Sequence, residues 1–317
     1  MALATPTTLP LTIGYAATGS GTPGVLDAIK ATAQALSWTV QTASTGGADP
    51  VASLAKNGAQ LIIADGADLD AATQAAASAF PKSYFIGVNQ AGPAAALPNL
   101  LSLGAGAPRQ DELGFMAGVV AGYATRAQIV TAVGYTTSPD GLRYRNGFLH
   151  GVRYSCARCR VDFIDLTDLN DGTTAAAKAR LNASLSSDVV FAAAGPAGAP
   201  ALQAAAQAGA WVIGVDTDVY VSDFGSGSAQ GAAKVLTSAY FDPGAAVAAA
   251  LKAYQTGKPW TGSQPFSAIN GAVVLAPLRV STDVLSDLDR QDINVALGLL
   301  ADGTLETGID PVTGDEL

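Results

Sequence analysis

The sequence predicts an α/β protein of two doubly wound parallel-sheet lobes. Three observations predict it. Short apolar runs and helical stretches alternate from residue 11 to residue 215, and repeated β-α units require parallel strands with helices on both faces. The pattern runs through twice, and a chain of 317 residues suits about two domains. Apolar residues make up 49% of the chain and aromatics only 7%, so the cores are built from aliphatic and small side chains.

The first run opens on the apolar strand Leu11-Thr12-Ile13-Gly14-Tyr15. Residues 25–36 carry Val25, Ile29, Ala33 and Leu36 at helical spacing, and residues 38–42 alternate like a strand. A short helix over 51–56 leads to a buried strand over 60–64, ended by Asp65-Gly66. The helix over 71–80 stops at Pro81, and strands follow at 84–88 and 100–103. The second run has helices over 111–123, 141–154, 174–185 and 199–208, interleaved with strands over 129–133, 160–166, 188–191 and 211–215. The strand over 160–166 puts Val161, Phe163 and Asp165 on one face. Beyond it, 235–238 and 271–275 read as strands, 244–254 and 284–300 as helices, and 310–317 as an acidic tail or edge. Trp38 and Trp211 begin strands and are expected in the cores.

Composition narrows the function classes. The net charge is −9, from 17 basic and 26 acidic side chains, and even the densest basic group (Arg143, Arg145, Arg153, Arg158 and Arg160) is spread along the chain. Nucleic acid needs clustered Lys and Arg and is not an expected partner. No apolar run reaches the ~18 residues of a membrane span. The opening, Met1-Ala2-Leu3-Ala4-Thr5-Pro6, lacks the charged and apolar regions of a signal peptide. Either the chain is cytosolic or a targeting segment has been removed; the Thr/Pro-rich start reads as a linker stub and favours the second. Cys156 and Cys159 form a C-x-x-C after a helical stretch and before a strand, and His150 is the single histidine. These fall short of a structural zinc set, and a local disulfide or inert thiol pair is favoured over redox chemistry.

No catalytic constellation stands out. Gly19-Ser20-Gly21-Thr22-Pro23-Gly24 matches the G-x-G-x-x-G that lets a backbone approach a pyrophosphate. The ribose-holding acid expected after the second strand is missing, because that stretch reads Thr42-Ala43-Ser44-Thr45, and Pro23 occupies the loop. A nucleotide-dependent α/β enzyme is therefore only the alternative. His150, beside Phe148 and Leu149, reads as a surface or packing histidine rather than a triad base. Asp65, Asp68 and Asp70 read as caps of the following helix rather than metal ligands. Neither a cofactor nor a metal is implied.

In open α/β sheets, ligands gather at the carboxyl ends of the strands. That rule nominates residues 15–19, Asp65, Asn89, Gln90, residues 135–137, Thr167, Asp168, Gly195 and residues 216–218.

Several segments together resemble one family. They are GAQLIIADG (58–66), FPKSYFIGV (80–88), DELGFMAGVVAG (111–122), GYTTSPDGLRYRNGFLHGV (134–152), DVVFAAAGPAG (188–198), WVIGVDTD (211–218) and VLTS (235–238). In this order they resemble the basic-membrane-protein (BMP) type of purine nucleoside-binding lipoproteins, with the type I periplasmic-binding fold. The resemblance implies lobes joined by a multi-strand hinge, with chain crossings near 106–109, 236–241 and 262–270. It implies one lobe of 10–107 plus 239–262 and another of 108–238 plus 263–317. It implies an extracytoplasmic, monomeric solute-binding protein that closes on a purine nucleoside or nucleobase. The partner would be an ABC transporter permease, with membrane contact only through a lipid anchor; a sugar or other small polar solute is the alternative ligand. The family's first loop carries an Asp-x-Ser-Phe-Asn-like signature, replaced here by glycines, and a downstream Lys of the family falls at Phe241.

Asp216 is the first choice for the ribose diol, since a carboxylate accepts two charge-assisted hydrogen bonds. Tyr15, Tyr135 and Phe241 are either stacking faces or packing residues. Asn89 reads polar base edges or turns the chain. Asp111 accepts from a base N–H or caps its helix. Gly195 closes a strand at the ligand-facing end.

Overall fold

Residues 11–43 and 49–317 are described by the computed structural model; the Thr/Pro-rich opening and Ser44-Thr45 lie outside the described residues. In chain order the elements are β1 (Thr12–Ala17), α1 (Val25–Leu36), β2 (Thr39–Thr42), α2 (Pro50–Lys56), β3 (Leu61–Asp65), α3 (Asp70–Ala79), β4 (Tyr84–Val88) and β5 (Leu100–Leu103). Next come α4 (Gln110–Ala124), β6 (Ile129–Gly134), α5 (Pro139–Ser155), β7 (Arg160–Asp165), α6 (Gly172–Leu185), β8 (Val189–Ala193), α7 (Gly198–Gln207) and β9 (Trp211–Val215). The chain ends with α8 (Val219–Ser222), β10 (Val235–Phe241), α9 (Pro243–Gln255), β11 (Gly262–Gln264), β12 (Val273–Leu275) and α10 (Asp287–Ala301).

These elements form two units. The first takes the described residues up to Pro108 with Asp242–Phe266 and Asn270–Ala272; the second takes Arg109–Phe241, Ser267–Ile269 and Val273–Leu317. The first unit's sheet runs β11-β5-β4-β3-β1-β2 and the second's runs β12-β10-β9-β8-β6-β7. The pairings are parallel apart from β10 with β12. Each sheet is thus doubly wound, as the alternating pattern predicts.

The central strands β3 and β4 are buried at every residue, which is why they read as unbroken apolar runs. In the second unit the two faces of β8 separate. Val189 and Phe191 join a cluster with Phe148, Val120 and Leu300, while Val190 and Ala192 join one with Leu202, Val212 and Phe224. Helix starts are set by caps: Asp49, Ser138 and Asp242 accept from backbone N–H groups, each just before a proline that opens the helix. α10 opens on a Ser286–Asp289 capping box.

α4 and α5 meet along a glycine seam. An added Cβ at Gly114 would overlap the Tyr144 carbonyl oxygen, one at Gly118 that of Phe148, one at Gly147 that of Asp111, and one at Gly151 that of Phe115. The two backbones therefore touch with no side chain between them, which explains the glycine pairs in both helices.

Several expectations need correction. Trp38 and Trp211 are half-buried, not core. Trp38 meets Tyr254 edge-on at 6.5 Å, and the Lys234 ammonium sits 4.3 Å over the Trp211 ring. Trp211 still packs against the second unit's core cluster, but strand periodicity does not say how deeply the residue that opens a strand is covered. The strand expected over 271–275 starts at Val273, because Gly271 has φ +76°. Residues 310–317 are neither a free tail nor a sheet edge. Ile309 bridges Glu316, and Asn146 Nδ2 and Arg143 Nη1 of α5 donate to the Gly314 and Val312 carbonyls at 2.7 and 3.0 Å. His150 packs there too, with Nδ1 at 2.8 Å from the Thr307 carbonyl. Cys156 and Cys159 form a disulfide that closes the turn from α5 into β7.

Glu112, 2% exposed in the first turn of α4, is a charged group inside the second unit. It accepts from the Ala268 backbone N–H at 2.6 Å and pairs with Arg109 at 3.0 Å. Burial, with a smaller push from Asp111, outweighs these partners and raises its pKa from 4.5 to about 7. The folded state thus binds this proton more tightly than the unfolded chain. Stability from this group is full below pH 4.5, falls as pH rises to about 7, and is flat above. The fall is on the order of 3 kcal/mol. Glu112→Gln is expected to remove it. Urea unfolding at pH 5 and pH 8 checks this: the variant should gain on the wild type at the higher pH, and an equal difference at both would refute it.

Candidate functional site

In the first unit the topological switch lies between β1 and β3. Asp65, at the end of β3 and 0% exposed, sits there. The Tyr15 hydroxyl and the Thr22 N–H donate to Oδ2 at 2.9 and 2.7 Å, and Thr22 Oγ1 donates to Oδ1 at 2.5 Å. Asn89, in the left-handed region at φ 56° after β4, donates from Nδ2 to Thr22 Oγ1 at 2.8 Å. Tyr15 and Asn89 are therefore brought together through Asp65 and Thr22. The Tyr15 ring is buried, and burial followed by the Asp65 carboxylate pushes its hydroxyl well up, so it stays a donor. Asp65 does not cap α3, whose first residue is Asp70 and which has no side-chain cap.

The Gly-rich loop is shaped around this carboxylate. Gly21 has φ +72°, and a Cβ there would overlap the Tyr15 hydroxyl. A phosphate cradle needs free amides and no nearby negative charge. Here the Thr22 amide is taken, and by an acid.

In the second unit Asp216 follows β9 in the left-handed region, at φ 67°, with its side chain exposed. Its N–H donates to the Ala239 carbonyl at 3.1 Å, and the Tyr144 hydroxyl donates to its Oδ1 at 2.5 Å. Burial first, then Asp216, pushes the Tyr144 hydroxyl far up. Asp216 and Gly195 share the wall of one cavity of about 290 Å³, together with Thr217, Asp223, Ala194 and Leu202. Two of its lining residues are acidic and, among the described residues, none is basic.

The other expected residues sit elsewhere in this unit. Tyr135 is half-buried just after β6. A cavity of about 10 Å³ beside Gly134, Tyr144, Arg145 and Phe163 is no larger than a single water requires. Phe241 ends β10 opposite Val273 and packs on the unit's core. Asp111 is fully buried as the second residue of α4, not its cap. Arg109 Nε donates to its Oδ1 at 2.8 Å, and Arg109 Nη2 and Thr307 Oγ1 donate to its Oδ2 at 2.7 and 2.6 Å. Asp218 caps α8 and bonds Arg279 at 2.6 Å.

Sequence reasoning missed Tyr144 and Thr22. Helical spacing marks the face of Tyr144 but not its reach, and Thr22 lies in a loop without periodicity. Among the described residues no group of His, Cys, Asp and Glu is placed to hold a metal, and no helix is long and apolar enough to cross a membrane.

Comparison with known proteins bears on this geometry. A family model described as Bmp, ABC transporter substrate-binding protein PnrA-like, matches residues 27–299. No curated protein matches. Among solved structures, an ABC transporter solute-binding protein from Conexibacter woesei is 22% identical with a TM-score of 0.63, over 93% of this chain and 98% of that one. A transcriptional activator of the comK gene from Bacillus halodurans is 17% identical with a TM-score of 0.61, over 93% of this chain and 99% of that one. At such identities the likeness to either structure is one of fold.

Proposed function

The chain belongs to the Bmp family of PnrA-like ABC transporter substrate-binding proteins, and from that premise we propose that its solute is a purine nucleoside or related nucleobase. As a substrate-binding protein of this family it takes up a small molecule outside the cytoplasm for an ABC transporter permease. The same reading makes it a monomer tethered by a lipid anchor.

One observation carries the ligand proposal: an exposed carboxylate, Asp216, borders a cavity that also has apolar wall residues. Oδ1 is engaged by Tyr144, while no hydrogen bond reaches Oδ2 among the described residues. A ribose supplies the hydroxyl donors that such an acceptor lacks. Neither Tyr135 nor Phe241 lines this cavity, so the base is proposed to lie against its apolar wall of Ala194, Leu202 and Val219, with Gly195 beside it.

The lining also argues for a ligand without phosphate, because Asp216 and Asp223 repel an anion that no lining cation offsets. Adenosine, guanosine or inosine is expected to raise the melting temperature of the purified protein by roughly 5–10 °C at a hundredfold excess over Kd. The corresponding 5′-monophosphates should give less than half that shift. A scan against nucleosides, nucleotides, sugars and amino acids checks both. Stabilisation by sugars or amino acids alone would sink the purine assignment and leave the solute-binding class standing.

A further inference from the structure

We propose that Tyr144 is the positioning residue that sets how Asp216 meets the hydroxyls of its ligand, an inference that rests on the Asp216 reading above. The backbone of Asp216 is already fixed: it holds a left-handed φ of 67°, and its N–H is bound to the Ala239 carbonyl. What stays free is rotation of the carboxylate. The Tyr144 hydroxyl stops that rotation by donating to Oδ1 at 2.5 Å. No other hydrogen bond engages the side chain, among the described residues, and no cation pairs with it.

Tyr144 can do this because its own position is fixed from behind. Its carbonyl lies against Gly114 on the seam of α4 and α5, where a single added methyl would overlap it. Burial and the neighbouring carboxylate keep its hydroxyl protonated, so it has a proton to donate to Asp216. A rigid helix thus supplies a rigid donor, and the Oδ2 edge of Asp216 is presented to the cavity in one orientation. An acceptor ordered before binding spares the cost of ordering it during binding. The residue has no direct part in contacting the ligand; it acts through Asp216.

The test is a comparison of two probes on two proteins. Kd is measured by calorimetry for adenosine and for 2′,3′-dideoxyadenosine, on the wild type and on Tyr144→Phe. The phenyl ring keeps the packing, and the melting temperature of the ligand-free variant checks that it folds. Adenosine should bind the variant about three- to tenfold more weakly, and the dideoxy compound within about twofold of the wild type. Equal weakening of both probes would mean a merely structural role and overturn the proposal, as would no weakening of either. A wild type that binds no nucleoside at all overturns the nucleoside reading and this inference with it, and that result is distinct because the wild-type isotherm itself is flat.

Discussion

Asp216→Ala is expected to lower nucleoside affinity by at least about a hundredfold while leaving the ligand-free protein folded. Two hydrogen bonds to a charged acceptor contribute about 1.5–3 kcal/mol each, and a factor of ten is about 1.4 kcal/mol. The same substitution touches little of the fold. The side chain is exposed, and its protein hydrogen bond comes from a hydroxyl that water can satisfy in its place. The left-handed φ of 67° is the one structural cost, since alanine tolerates it less well than aspartate. Asp216→Asn keeps the backbone preference and removes the charge, so it separates the two effects. Calorimetry with adenosine, alongside melting of the ligand-free variants, checks the prediction. An affinity that stays near the wild-type value in both would take Asp216 out of the site.

The second large effect is on stability. Asp65→Ala should cost about 3–5 kcal/mol, because it leaves the Tyr15 hydroxyl and the Thr22 N–H without their acceptor. That corresponds to a fall on the order of 10 °C in melting temperature. Asp65→Asn should recover only part of it. An amide offers one oxygen, and its NH₂ group would face donors where the carboxylate accepts from three. Denaturant unfolding measures both variants; a loss below about 1 kcal/mol for Asp65→Ala would show that water replaces the carboxylate without penalty.

Much of this architecture is legible in the residues. β3 and β4 announce themselves as apolar runs buried on both faces, and the strand-end rule reaches Asp65, Asn89, Gly195 and Asp216 without any contact information. What it does not reach is the direction of each side chain once the loop has folded. Asp65 ends its strand like any strand-end acid, and only the approach of Tyr15 and Thr22 turns it inward. Asp111 likewise looks available at the start of a helix, yet Arg109 and Thr307 occupy both of its oxygens. Thr307 lies 196 residues away, and no local pattern connects them. The Asp216–Tyr144 contact spans 72 residues and is invisible for the same reason.

The meeting of α4 and α5 has a practical corollary for anyone who maps this protein by mutation. An alanine scan normally erases a side chain, but at positions 114, 118, 147 and 151 it would insert one. The scan would report damage there without any removed interaction to explain it. The same positions offer a remote dial. A methyl at Gly114 would overlap the carbonyl oxygen of Tyr144, so the backbone of that residue would have to shift. With Tyr144 positioning Asp216 as proposed, nucleoside affinity is expected to respond to a change buried in the helix seam.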